Sequence, residues 1–318
     1  MKLDLAECEI RTPGGDDLLA LYRMLMDVFP VDRPVFTEMI ETGKRFYTWT
    51  PYALYQGAEL LGSVSLMPVG IWLGGQAVEV VGIASVATRK EHRRKGVARH
   101  LMRHGLGIVD ERSAPAVLLT DLPAVYEGLG FKAVKQTYPA ACVPEMDFGT
   151  GGFDCELVDC LDQGRLERMA SIYADEYPNY DGKVVRDRDY WRLYQMLFDL
   201  YPKSRILLCT SHERTLGYAR IEVEGDRLLL SELCARADAV EATALLGFVA
   251  DCARQVGVGL VTLALSPDHF ANKTLQRHGV LLQPEPAGAH RETFMVRPRP
   301  GEPPGPLERL HWSLADKF

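Results

Sequence analysis

Residues 81–98 read VGIASVATRKEHRRKGVA. The run changes character half-way. Val81, Ile83 and Val86 mark an apolar strand, and then Arg89, Lys90, Arg93, Arg94 and Lys95 concentrate positive charge ahead of Gly96. Val97 to Asp110 reads as a helix that starts at once. Gly96 and Ala98 are small, so a ligand can approach the backbone closely there. The free N–H groups of a helix start point outward, and the helix dipole favours an anion at that end. A strand, a basic turn and a helix start in this order suit a pyrophosphate. As a bare hexapeptide, Arg93 to Ala98 is read equally well as a basic surface turn. Its setting, after a series of strands and before a long helix, favours the ligand. No Gly-Lys-Ser/Thr follows, which disfavours a nucleotide-hydrolysing loop.

Outward from this segment, element types alternate. Cys8 to Arg11 is a short strand candidate. Asp16 to Phe29 carries Leu18, Leu21, Tyr22, Leu25 and Phe29 at helical spacing, and a shorter helix follows Asp32-Arg33-Pro34 through Met39 to Gly43. Three strands come next, Tyr52 to Gln56, Leu60 to Leu73 and Val78 to Ala87, with Gly57 and Gly74-Gly75 as turns. After the helix from Val97, Ala116 to Thr120 reads as a buried strand. A short helix around Tyr126 to Leu129 follows, closed by Gly130.

Glycines 149, 151 and 152 suggest a break, and beyond it the same order of elements returns without residue identity. Phe153 to Val158 is a strand, Arg165 to Glu176 and Asp189 to Tyr201 are helices, and strands cover Arg205 to Thr210, Leu216 to Val223 and Leu228 to Ala235. A helix from Val240 to Val256, a strand from Leu260 to Leu265 and a helix from Phe270 to His278 complete the set. The expected fold class is therefore α+β, with two tandem domains, each a mostly antiparallel sheet flanked by helices. The expected bounds are 1–147, 153–297 and a tail of 298–318.

Composition narrows the class. The 318 residues are 47% hydrophobic and 25% charged, values of a globular chain long enough for two cores. No long apolar run predicts a membrane span, and no apolar leader follows Met1. Seven scattered cysteines form no Cys-x-x-Cys, so neither a disulfide frame nor a zinc site is expected, and a cytoplasmic location is. A net charge of −7 disfavours a nucleic-acid surface and suits a cationic substrate or simply solubility.

Two motifs carry a family resemblance. Arg93-x-x-Gly96-x-Ala98 resembles the Arg/Gln-x-x-Gly-x-Gly/Ala motif of the Gcn5-related N-acetyltransferase (GNAT) superfamily, and Ser85-Val86-Ala87-Thr88 looks like that family's cofactor strand. Tyr126-Glu127-Gly128-Leu129-Gly130-Phe131 is similar to its Tyr-x-x-x-Gly-Phe element. Together they cover about the first 140 residues. The resemblance implies acetyl-CoA as co-substrate, in a cleft between two splayed strands. Backbone groups of Val86, Ala87 and Thr88 would pair with pantetheine. Arg93, Arg94, Lys95, Gly96, Val97, Ala98 and Arg99 would hold the pyrophosphate, and Tyr126 would protonate the departing thiolate. No metal is implied.

The second domain departs from this pattern. Arg236-Ala237-Asp238-Ala239-Val240 holds no glycine, Asp238 would repel a phosphate, and Phe270 stands where a tyrosine would be wanted. An active domain followed by a degenerate one resembles the Eis-like branch, whose third, sterol-carrier domain has no room here. The resemblance implies that the terminal carboxylate, here Phe318, accepts the amine's proton, with Glu79 as another base candidate. It also implies a homo-oligomer. The acceptor pocket is the least legible part. Phe29, Phe36, Phe46, Tyr47 and Trp49 could line it or belong to the core, and Asp27, Glu38 and Glu41 could meet a cation or only solvent. His92 and His104 read as surface residues. The expected activity is acetylation of an amine on a small molecule. The rivals are an acyl-CoA-binding protein without catalysis and an acetyltransferase acting on protein lysines or N-termini.

Overall fold

The computed structural model describes residues 3–43, 49–149, 152–201, 203–211, 214–235, 239–284, 292–302 and 305–311. The first half runs β1 (Glu9–Arg11), α1 (Gly15–Val28), α2 (Arg33–Thr42), β2 (Thr50–Gln56), β3 (Glu59–Leu73), β4 (Gln76–Thr88), α3 (Val97–Glu111), β5 (Ala116–Thr120), α4 (Pro123–Glu127), β6 (Lys132–Ala133) and β7 (Ala140–Cys142). The second half continues with β8 (Asp154–Val158), α5 (Gln163–Glu176), α6 (Arg188–Leu200), β9 (Ser204–Ser211), β10 (Arg214–Glu224), β11 (Arg227–Ala235), α7 (Ala239–Gln255), β12 (Leu260–Leu263), α8 (Phe270–Arg277) and β13 (Thr293–Arg297). Among the described residues no helix is long and apolar enough to cross a membrane.

These elements build two mixed sheets, ordered β1-β2-β3-β4-β5-β13-β6 and β7-β12-β11-β10-β9-β8. The expected α+β class with two sheets flanked by helices is what the chain forms. The strands do not divide between the sheets at residue 147, however. β7, from the first half, pairs with β12 in the second sheet, and β13, from the end of the second half, inserts between β5 and β6 in the first. β13 is clipped to α3 as well, because Arg297 donates two hydrogen bonds to the Asp110 carboxylate (2.6 and 3.0 Å).

Each face of the first sheet has its own cover. α3 buries Val97, Leu101, Met102, Leu106 and Val109 against Leu54, Leu61, Val64, Val81, Ile83 and Leu118. The opposite face takes Leu21, Tyr22 and Leu25 of α1 and Phe36 and Met39 of α2. It also takes Val184, Tyr190, Leu307 and Leu310 from the second half of the chain. Where β2 ends its pairing at Leu66, residues 181–185 take over the edge of β3. Val185 N–H donates to the Gly70 carbonyl, Trp72 N–H to Lys183 and Gly182 N–H to Trp72, each at 2.8 Å. The two halves thus share backbone pairing as well as side-chain packing.

The two domains repeat one close approach. A Cβ on Gly62 of β3 would lie 2.5 Å from the Ala87 carbonyl and 2.8 Å from Val97 of α3. A Cβ on Gly217 of β10 would lie 2.6 Å from the Cys234 carbonyl and 2.6 Å from Leu245 of α7. At each place a helix sits so tightly on the sheet that only glycine fits beneath it.

Candidate functional site

β4 and β5 run parallel but pair only at Val81 with Ala116 and Gly82 with Val117. Beyond those pairs β4 continues to Thr88 and β5 to Thr120 without meeting, so the strands splay. The divergence has a local cause. Ser85 adopts a φ of 50°, and the β3–β4 register shifts between Ser63 and Ser65 at the same level. Ser63 Oγ donates to the Ser85 carbonyl (3.0 Å) and steadies this bulge.

The basic segment lies at the open end of the splay. A turn at Lys90–His92 leads into Arg94 at φ 62° and Gly96 at φ 86°, the N-cap of α3. Both residues are left-handed, and the glycine does so without strain. The first helical bond runs from His100 N–H to the Gly96 carbonyl (2.9 Å), which leaves the N–H groups of Val97, Ala98 and Arg99 directed out of the helix start. The Arg93, Arg94, Lys95 and Arg99 side chains are exposed around them, while Val97 is buried in the core. Arg93 Nε reaches back to the Thr88 carbonyl at 3.4 Å.

A cleft of about 260 Å³ continues from this loop. Val86 of β4, Ala98, Arg99 and Met102 of α3, and Ala124, Val125, Gly128 and Leu129 on and after α4 line it. Val86 and Thr88 are half-buried, and Ala87 turns to the opposite face and is 1% exposed. Tyr126 does not line this cleft. Its ring turns inward, edge-on to Phe131 at 6.1 Å between centroids, and its hydroxyl bonds the Thr120 side chain at the end of β5. Burial raises the phenol above its usual range, partly offset by the Thr120 bond, so the group keeps its proton.

The other sequence-level candidates separate. Phe36 and Trp49 are core residues, with Trp49 stacked on Tyr22 at 5.8 Å. Asp27 and Glu41 face solvent. Glu79 sits opposite Gly70, six residues along β4 from the bulge and about 20 Å away at strand rise, beside Arg112 at 4.0 Å. His92 is no surface residue: its side chain is 12% exposed and bonds Glu59 at 2.7 Å. Phe46, Tyr47 and Phe318, and Arg236 to Asp238, lie outside the described residues. Three participants had no sequence signal: Thr120, which bonds Tyr126; Glu59, which bonds His92; and β13, which pairs Thr293 with Thr120.

The second domain opens in the same way and is filled. β11 and β12 pair in parallel from Arg227–Leu260 to Leu230–Leu263 and then part. Beyond the parting, His269 Nε2 lies 3.0 Å from the Leu233 carbonyl and Tyr177 Oη donates to it at 3.5 Å. Glu232 takes two bonds from Arg186 (2.8 and 3.2 Å) and one each from Tyr218 (2.5 Å) and Tyr194 (3.1 Å), with Arg186 and Glu232 side chains fully buried. The strand end that would pair with pantetheine is satisfied by the protein's own side chains.

Comparison with known proteins agrees with this geometry. Residues 9–134 match the family model of the acetyltransferase (GNAT) domain. An uncharacterized N-acetyltransferase of Streptomyces avermitilis is 30% identical over 166 residues, which are 48% of this chain and 39% of that protein. The chain therefore spans less than half the length of that relative. Among solved structures, a GCN5-related N-acetyltransferase from Anabaena variabilis superposes with a TM-score of 0.70 at 16% identity, covering 91% of this chain and 72% of that one. Eis1 from Mycobacterium abscessus does so at 0.62 and 19%, covering 91% and 73%. Residues 9–134 are thus similar to an acetyltransferase (GNAT) domain, and the chain shares the fold of these two solved structures.

Proposed function

We propose that the chain is an acetyl-CoA-dependent N-acetyltransferase that acylates an amine of a small molecule. The observation that carries this reading is the open splay of β4 and β5, with a basic helix start at its mouth and a protonated phenol at the end of β5. The small residues Gly96 and Ala98 and the edge of β4 beyond Gly82 that lacks a β5 partner fit acetyl-CoA, which supplies the thioester. The amides of Val97 to Arg99 and the surrounding cations would bind its pyrophosphate. The edge of β4 at Val86 to Thr88 that faces away from β3 would pair with the pantetheine amides. An attacking amine forms the new C–N bond as the C–S bond breaks. Tyr126, turned toward the cleft from its place between the wall residues Val125 and Gly128, would give its hydroxyl proton to the leaving sulfur, and the Phe318 carboxylate would take the proton released by the amine.

The second half of the chain supports a small acceptor. Met196, Leu197, Leu200 and Tyr201, on and just after α6, pack against α1 and α2 on the face toward which the acyl group would emerge. That packing narrows the room for a protein chain.

Free-thiol release from acetyl-CoA, measured across an amine panel, tests the reading. Amine-dependent release is expected from the native protein, with a fall of about 100-fold or more in kcat for Tyr126→Phe. A chain shortened by its last three residues should also slow. Binding of acetyl-CoA without release for any amine would overturn the enzymatic reading and leave an acyl-CoA-binding protein.

A further inference from the structure

The start of β3 touches the basic loop at three levels. At the first, Glu59 Oε1 lies 2.7 Å from His92 Nε2, across 33 residues of sequence. At the second, Arg89 N–H donates to the Leu61 carbonyl at 2.9 Å. At the third, Gly62 admits the Ala87 carbonyl and the Val97 side chain. The loop between Thr88 and Val97 thus rests on Glu59, Leu61 and Gly62 of one strand. The last two contacts use backbone or the lack of a side chain. Only the first is a side-chain pair specific to this sequence.

The pair holds the residue that matters. His92 closes the short turn before Arg93, Arg94 and Gly96, where the chain makes two left-handed steps. Its imidazole is largely covered, and Nδ1 is buried without a hydrogen-bond partner, so Nε2 makes the ring's hydrogen bond. With hydrogen on Nε2, the ring donates to the Glu59 carboxylate. Glu59 follows the tight Gly57 turn between β2 and β3 and is fixed by pairing with Gln56. Without the pair, no side chain of β3 would hold the turn, which would keep the Arg89 N–H on the Leu61 carbonyl and Arg93 Nε on the Thr88 carbonyl, at 2.9 and 3.4 Å.

We infer that Glu59 and His92 are positioning residues for the pyrophosphate loop, and that they set affinity for CoA rather than the rate of acyl transfer. The inference rests on the proposed cofactor site. Neither side chain belongs to the cleft lining, and His92 is separated from the α3 amides by four residues. Their effect reaches the ligand only through the geometry of the loop, which binds the ground state and the transition state alike.

The test is direct titration of the full chain with CoA by calorimetry, together with KM and kcat for acetyl-CoA. His92→Leu and Glu59→Leu should each weaken CoA binding and raise KM about 5- to 20-fold, a loss of one hydrogen bond to a charged group. kcat should stay within about twofold of the native value. His92→Gln can place an amide N–H near the lost Nε2–H, and it should recover most of the affinity. Thermal unfolding of each variant identifies any that fails to fold, and His92→Gln carries the test in that event. Unchanged CoA affinity in a folded His92→Leu, or no recovery with Gln, overturns the inference. Absence of CoA binding by the native protein overturns the proposed site instead, so the two failures are distinguishable.

Discussion

His269 and Tyr126 occupy corresponding regions of the two domains and have opposite fates. Tyr126 keeps its proton in a half-buried place beside an open cleft, where a proton can be given away. His269 is fully buried. Burial, with the Lys183 ammonium nearby, lowers its pKa to about 3. His311, packed edge-on to Tyr138, is also lowered to about 3 by burial and Lys183. Both rings are therefore neutral in the folded chain, while the unfolded chain protonates them below about pH 6.5. Their neutral burial costs nothing above pH 6.5. Below it the unfolded state binds the extra protons, and stability falls by about 1.4 kcal/mol per pH unit for each ring, down to about pH 3. Urea midpoints measured from pH 7 to 4 should fall, and His269→Gln should reduce the slope by about half of the histidine share. A slope unchanged in that variant would remove the assignment.

At this scale the sequence was legible where chemistry is local. The run from Arg93 to Ala98 and the spacing of Tyr126 to Phe131 lie within single turns, and the chain folds them as such. His92 was misread because its partner Glu59 sits on another element, and nothing within a few residues of His92 announces a carboxylate.

Single elements carry the strictest packing. β3 is 15 residues long because three different partners use its length: β2 on the first part of one edge, residues 181–185 on the rest of it, and β4 along the other. Gly62→Ala should destabilise the protein by about 1–3 kcal/mol, since the added methyl meets a backbone carbonyl that cannot move aside. The segment after residue 181 depends on Arg186. Its guanidinium is sandwiched among Tyr173, Trp191 and Tyr194, with centroids 4.1 to 4.9 Å away, and paired with Glu232. Arg186→Met leaves that carboxylate buried without its cation and should cost about 3–5 kcal/mol by denaturant unfolding. Replacing Glu232 by Gln in the same chain should return part of the loss. Helices and long strands were readable from periodicity, with ends off by one to three residues in most cases. β7 and β13 were not. Each has five residues or fewer, and their partners lie more than 100 residues away, beyond any local pattern.

For the molecule as a whole, the repeated order of elements was visible, but its division was not. Strands cross the boundary expected at glycines 149, 151 and 152 in both directions, β7 into the second sheet and β13 into the first. Unfolding should accordingly be one cooperative transition by fluorescence and by far-ultraviolet circular dichroism, with coincident midpoints. Two separated transitions would show that the halves unfold as independent units. The repeat extends to one matched close approach, at Gly62 and Gly217, each second in a Leu-Gly pair with little else around it shared.

The insertion of β13 beside β5 also has a meaning in time. A ribosome releases the loop, the bulge and Tyr126 long before it releases Thr293 to Arg297. Until then β5, whose Thr120 holds the phenol, has an open edge, and β6 has no route into its sheet. The nascent chain therefore carries every residue of the cleft throughout the synthesis of Gly130 to Glu292, before the sheet beneath can close. Through that interval the exposed strand is a natural client for a chaperone.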